Sequence, residues 1–268
     1  MTEEIITVFC IVDDSLKELS HKDDVQARMS TSEVITTALV AGKYFGGVYE
    51  KARMFFKKHG YVKNMLTKGR FNIRLRRIDA YIWTIIMKIF SKISDTKEFI
   101  VDSFPVPVCA NVRVSRSKRF TSKKHYGYNA IKKEHYYGLK VHMLTTASGK
   151  PVEIFIEPAS IHDMKAFKKF TLNIPSQSTI YADSAYTNYK FEDDLKKDKN
   201  ILLAAKRKGN AKRKCVVDSR MQMKKRKRIE TVFSSILDFM PRNIRAVSAQ
   251  GLELKLMIFI CAFSLFTN

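Results

Sequence analysis

The sequence predicts an α/β protein: a mixed β-sheet flanked by helices, preceded by an all-α N-terminal domain. Two patterns predict it. Up to residue 95 the apolar residues recur at helical spacing, and from residue 96 short β-rich apolar runs alternate with helical stretches. Composition agrees, because 45% hydrophobic and 11% aromatic residues over 268 positions suffice for a folded core in one large domain or two.

The N-terminal part, 1–95, reads as helices throughout. Ser30 with Glu33 forms a capping-box pattern, and Val34, Ile35, Ala38 and Leu39 follow at helical spacing. Gly46-Gly47 interrupts, and a second helix runs through Ala52, Phe55 and Phe56 to Gly60. A third opens after Thr67 and keeps Phe71, Leu75, Ile78, Ile82, Ile85 and Ile89 on one face. Arg70, Arg74 and Arg77 share another face, which suits DNA contact in a helix-turn-helix and equally an ordinary solvated face.

The second part, 96–268, changes period. Glu98 to Asp102 reads as a strand, and Tyr136 to Leu144 with Val152 to Ile156 as a hairpin turning at Ala147-Ser148-Gly149. Ser160 and Asp163 suggest a cap opening a helix to about Phe170. Thr179 to Asp183 is a strand, Tyr189 to Lys197 a helix and Ile201 to Ala205 a strand. A long helix from about Met221 ends at Pro241. The apolar run Leu256 to Phe266 is too short to span a bilayer, which needs roughly 20 residues, and reads as a buried helix.

Forty-nine Lys and Arg against 26 Asp and Glu give a net charge of +23. Such an excess points to a polyanionic partner, with nucleic acid ahead of a membrane surface. Two basic segments stand out. One holds Arg113, Arg116, Lys118, Arg119, Lys123 and Lys124 with Phe120, Tyr126 and Tyr128 interleaved; the other runs from Lys206 to Lys214. Cys10, Cys109, Cys215 and Cys261 form no C-x-x-C pair, so neither a zinc ribbon nor a disulfide scaffold is indicated, and buried reduced thiols are expected. The acidic N-terminus does not resemble a signal peptide.

Three carboxylates fall at places where chemistry is possible. Asp102 closes the apolar run Phe99-Ile100-Val101, where an isolated charge is costly unless paired, solvated or metal-bound; it is equally a turn residue before Pro105. Asp183 follows Ile180-Tyr181-Ala182, and Asp-Ser there is also a good helix cap. Glu230 borders the helical stripe of Ile229, Val232, Phe233, Ile236, Leu237 and Met240, with Arg226 one turn earlier. That pair reads as a surface i,i+4 contact or as an arginine holding the carboxylate and a substrate phosphate. Hard divalent cations take such oxygen ligands together with phosphates.

In this order the motifs resemble those of DDE transposases of bacterial insertion sequences, most closely the insertion sequence 982 family. The segments are Ser30-x-Ser-Glu-Val, Phe45-Gly-Gly-x-Tyr-Glu-Lys-Ala-Arg, Lys68-x-Arg-Phe-Asn-x-Arg-Leu, Val101-Asp-Ser, Tyr137-Gly-Leu-Lys-Val-His, Ala159-Ser-Ile-His-Asp, Tyr181-Ala-Asp-Ser-Ala-Tyr and Arg228-Ile-Glu-Thr-Val-Phe. They cover nearly the whole chain. The resemblance implies an RNase H-like catalytic domain at 96–268 with Asp102, Asp183 and Glu230 as catalytic, metal-binding residues, and a DNA-binding domain at 1–95. It implies two Mg²⁺ ions, with Mn²⁺ as substitute, in a two-metal site for strand cleavage and joining. Partners would be double-stranded DNA, as transposon ends and target, and a second copy of the chain at synapsis. No membrane is involved, and the location would be cytoplasmic, on the bacterial nucleoid. DNA contacts are expected from Arg70, Arg74, Arg77, Arg116, Lys118, Arg119, Lys123, Lys124 and Arg226. Met223 and Leu237 stand where related transposases carry a Tyr and a Lys around the third acid, so no end-binding role for those two carries over. Two other readings fit the same residues: a non-catalytic DNA-binding protein, and an RNase H-like nuclease acting on branched DNA.

Overall fold

A computed structural model describes residues 1–91, 95–109, 114, 120, 122–129 and 133–266. Two compact units emerge: residues 91–234, and residues 1–90 together with 235–268. The C-terminal helix therefore groups with the N-terminal helices, whereas the change of sequence period at residue 96 left it with the sheet.

In the helical unit, α1 (Thr2–Glu18), α2 (Thr31–Tyr44), α3 (Tyr49–Lys58), α4 (Lys68–Arg76) and α5 (Ala80–Ser91) precede the sheet. Helix α2 is the centre, with Val34, Ile35, Ala38, Leu39, Val40 and Ala41 fully buried. Its capping box forms as expected. The Glu33 N–H donates to Ser30 Oγ at 3.1 Å and the Ser30 N–H to Glu33 Oε2 at 2.8 Å. The single helix expected beyond Thr67 is two, because Asp79 starts a new one by accepting the Tyr81 N–H at 2.8 Å. Ile89 is consequently exposed rather than on a shared buried face. Helix α9 (Ala249–Phe266) is long and apolar enough to cross a membrane by length and composition, with mean hydropathy 1.6, yet half of it is buried. Leu256, Ile258, Phe259, Ile260 and Cys261 lie in the unit's core, as the sequence anticipated.

The second unit holds a six-stranded sheet: β1 (Glu98–Cys109), β2 (Tyr126–Asn129), β3 (Glu134–Thr146), β4 (Pro151–Pro158), β5 (Thr179–Ala182) and β6 (Leu202–Ala205). The order is β2-β3-β1-β5-β6, with β4 also on β3. β1, β3 and β4 are antiparallel, and β5 and β6 continue parallel to β1. This is the RNase H-like mixed sheet, flanked by α6 (Asp163–Phe167) and α7 (Tyr189–Lys199), with α8 (Ser219–Phe239) starting in this unit.

Strand β1 does not stop at Asp102 but runs on through Pro105 and Pro107. Beyond Val101 it pairs with β3 alone, and a half-open strand tolerates prolines. Gly138 on β3 has to be glycine, since a Cβ there would stand 2.2 Å from the Val106 carbonyl oxygen. One face of the sheet builds a core from Phe99, Val101, Leu144, Ile180 and Ala182 against Met164, Phe167 and Leu195. On the other face Phe233 of α8 meets Phe104, ring centroids 4.7 Å apart. Leu237, expected on the apolar stripe of that helix, is exposed.

Two further expectations change. The first basic segment contains β2, and the Phe120 interleaved in it is buried, its carbonyl accepting the Tyr137 hydroxyl at 2.9 Å. Helix α6 is capped by His162 rather than Ser160 and ends at Phe167, leaving Asp163 for other contacts. Of the cysteines whose side chains are described, Cys261 is buried as expected, whereas Cys10 is exposed.

Candidate active site

Parallel pairing of β1 and β5 ends at Val101 opposite Ala182. The next residues are Asp102 and Asp183, so two carboxylates stand side by side where the strands part. In an open α/β sheet, the crevice beyond the carboxyl ends of strands is where ligands bind. Asp102 Oδ1 accepts the Ser103 N–H at 2.8 Å. Asp183 Oδ1 accepts the Ser184 N–H at 2.6 Å and caps a short turn, so its capping role is realised too.

Helix α8 is pinned to the sheet at two points. Gln222, buried, donates to the Ala204 carbonyl at 2.7 Å. One turn on, Lys225 Nζ pairs with Glu98 Oε2 at 2.7 Å, and Glu98 also accepts the Tyr181 hydroxyl at 2.8 Å. These contacts fix the phase of the helix. Arg226 then faces the crevice, its Nη1 3.6 Å from Asp183 Oδ1 and its Nη2 3.6 Å from Glu230 Oε1. The distances are those of ion pairs, not hydrogen bonds. Glu230 remains about half exposed, with its side chain at 53%. The i,i+4 pair and the bridge to Asp183 thus coexist: one guanidinium joins a strand-end carboxylate to a helix carboxylate.

Asp102 feels the same cation. Burial pushes its carboxyl up to about 7; the Ser103 N–H and Arg226 oppose this, while Asp183 and Asp163 add to it. Loss of solvation, more than the neighbouring charges, therefore governs this carboxyl.

Asp163, set aside in the sequence as a helix cap, is the hub of a second cluster. It accepts Ser103 Oγ–H at 2.9 Å and Lys140 Nζ at 3.2 Å, and lies 3.5 Å from His142 Nδ1. His142 is fully buried. Its imidazole is held neutral, burial lowering its pKa to about 4 against the pull of Asp163. The cluster sits behind Asp102 and fixes the residue that follows it. The register Ser103↔His142 and Pro105↔Lys140 makes it, and no local motif announces that pairing.

Arg70, Arg74 and Arg77 line one cleft of about 310 Å³ in the helical unit, together with Arg28, Met29 and Leu66. Arg74 is tied to Asp23, while Arg70 and Arg77 are exposed. Lys123 and Lys124 are exposed on the turn before β2. Arg116, Lys118 and Arg119 lie outside the described residues.

Among the described residues no three His, Cys, Asp or Glu side chains are grouped tightly enough to hold a metal ion as they stand. The donor chemistry nevertheless suits a hard divalent cation: carboxylate oxygens, two of them now shared around a guanidinium.

A family model described as a transposase DDE domain matches residues 93–265. No curated protein and no solved structure matches the chain. A mixed sheet of RNase H-like order, with two aspartates at parting strand ends and a glutamate on the following long helix, accords with that match: the chain belongs to the DDE transposase family.

Proposed function

We propose that this chain cleaves DNA at the ends of an insertion sequence and joins those ends to target DNA, with Asp102, Asp183 and Glu230 as its catalytic carboxylates. The observation that carries the reading is Arg226 standing 3.6 Å from both Asp183 and Glu230, at the place where the strand of Asp183 parts from that of Asp102. Asp102 and Asp183 would hold divalent metal, Mg²⁺ with Mn²⁺ as substitute, and Glu230 would complete the set from the helix. The chemistry divalent ions supply in such a site is activation of a water or 3′-OH and stabilisation of the leaving oxygen.

The residues of the chain have distinct tasks. The Ser103 N–H orients the Asp102 carboxylate. Gln222 and the Lys225–Glu98 pair hold α8 in phase, so that Arg226 stands between Asp183 and Glu230. Arg226, flanked by two carboxylates, is placed to exchange one of them for a backbone phosphate when DNA arrives. No covalent enzyme intermediate is required. Residues 1–95 serve as the DNA-binding domain, with Arg70, Arg74 and Arg77 on the duplex, and Lys123 and Lys124 add contacts on the catalytic side. Two copies act together at synapsis, in the cytoplasm on the nucleoid, and membership in the insertion sequence 982 family is the finer placement of the chain.

Replacing Asp102 with Asn should abolish Mg²⁺-dependent nicking of DNA carrying the element's ends while leaving DNA binding intact; undiminished nicking rejects the assignment. A purely DNA-binding protein would never nick in Mg²⁺ or Mn²⁺. A nuclease for branched DNA would cut without yielding products joined to a circular target.

A further inference from the structure

The segment 206–218 joins β6 to α8 and leaves the sheet beside Asp183, the Lys206 N–H donating to the Ala182 carbonyl at 3.0 Å. It carries six cations between Lys206 and Lys214, and they are not equivalent. Arg207 forms a two-pronged pair with Glu192, Nη1 to Oε1 at 2.9 Å and Nη2 to Oε2 beside it. Both side chains are about nine-tenths buried (9% and 11% exposed), which removes that arginine from any outside partner. Arg213 grips both oxygens of Asp193 at 2.8 and 3.0 Å. The two guanidiniums also lie over the Tyr189 ring, 5.1 and 5.0 Å from its centroid. Tyr189, Glu192 and Asp193 belong to the first turns of α7, so one helix end ties the loop at two points.

Lys206, Lys208, Lys212 and Lys214 are exposed, and among the described residues none has an ion-pair partner. Four ammonium groups on a loop that two arginines hold closed repel one another in the free protein, and a polyanion relieves that repulsion. Holding the loop in place beforehand also lowers the ordering cost of binding.

We propose that the loop 206–214 is a preorganised site for the phosphate backbone of duplex DNA next to the bond cleaved at Asp102 and Asp183. The four lysines contact phosphates, and Arg207, Tyr189 and Arg213 act as a brace rather than as ligands. The site is sequence-independent, because ammonium groups on phosphates read no bases. The identity of the ligand rests on the transposase reading above; the division of labour within the loop does not.

The test uses the full chain, a random-sequence duplex and EDTA, with affinity measured by fluorescence anisotropy between about 50 and 200 mM salt. Each phosphate contact contributes about 0.9 to the slope of log K against log salt, so changing all four lysines to Gln should flatten the slope by about 2–4. Tyr189→Leu should weaken binding with a smaller change of slope, since every charge remains but loses its placement. Thermal melting of each variant reports whether it folds, and Lys208→Gln with Lys212→Gln alone serves if the fourfold variant does not. An unchanged slope in a folded lysine variant overturns the proposal. So does a brace variant that binds as tightly as the parent. Metal is absent, so either result stands whether or not Asp102→Asn abolishes nicking.

Discussion

Asp102→Asn should stabilise the metal-free protein at neutral pH. The carboxyl of Asp102 titrates at about 7 in the fold against 3.8 in an unfolded chain, chiefly because burial penalises its charge. Below the lower value the group is protonated in both states and costs nothing. Between the two, the unfolded chain has released its proton and the folded one has not, so stability falls as pH rises, and it levels off above about 7. Roughly three pH units at 1.36 kcal/mol each amount to about 4 kcal/mol, an upper figure because Asp102 keeps some contact with solvent. Asn has the same shape and keeps the acceptor for the Ser103 N–H but cannot ionise. Urea unfolding in EDTA from about pH 4 to about pH 8 should show the variant pulling ahead of the parent by up to that amount. The gap should close at the acid end. Excess Mg²⁺ should then stabilise the parent, by about 2.7 kcal/mol at a hundredfold over Kd, and not the variant. Parallel pH profiles for the two proteins would refute the desolvated, carboxylate-crowded environment assigned to Asp102.

Within the helical unit, Arg70→Gln and Arg77→Gln should each reduce DNA affinity and flatten its salt dependence, whereas Arg74→Gln should mainly lower thermal stability by releasing Asp23; equal salt slopes for all three would argue against the cleft as a DNA contact. Gly138→Ala should destabilise the sheet by about 1–3 kcal/mol in urea, because its Cβ meets the backbone of β1 at a place with no flexible side chain to yield. The Lys225 ammonium, with help from the Tyr181 hydroxyl, holds the Glu98 carboxyl below 4.5, so its contribution is present above that pH and fades as pH falls through the lower folded value. Glu98→Gln should remove this part of the acid transition, visible as a flatter melting temperature between about pH 3 and 6.

The second basic segment shows where sequence reading stops. Lys206 to Lys214 is a run of cations in the sequence, yet in the fold two of the six are tied to α7, Arg207 in a buried pair and Arg213 in an exposed one. Arg74 is likewise spent on Asp23, although its spacing from Arg70 and Arg77 placed it on their face. The segment from Lys68 to Ser91 kept an unbroken helical period and still folds as two helices, because one side chain, Asp79, captures a backbone N–H locally. Periodicity averages over a window, whereas a cap acts at one residue.

By itself the sequence determined the alternation of strands and helices and the capping box at Ser30, since each is written in neighbouring residues or in a period. Only the tertiary structure decided that β1 continues past Asp102, that Asp163, Lys140 and His142 gather behind it, and that Arg226 joins Asp183 to Glu230. Those outcomes depend on strand register and on the phase of α8 against the sheet, which are set by the packing of residues distant in the chain and leave no local mark.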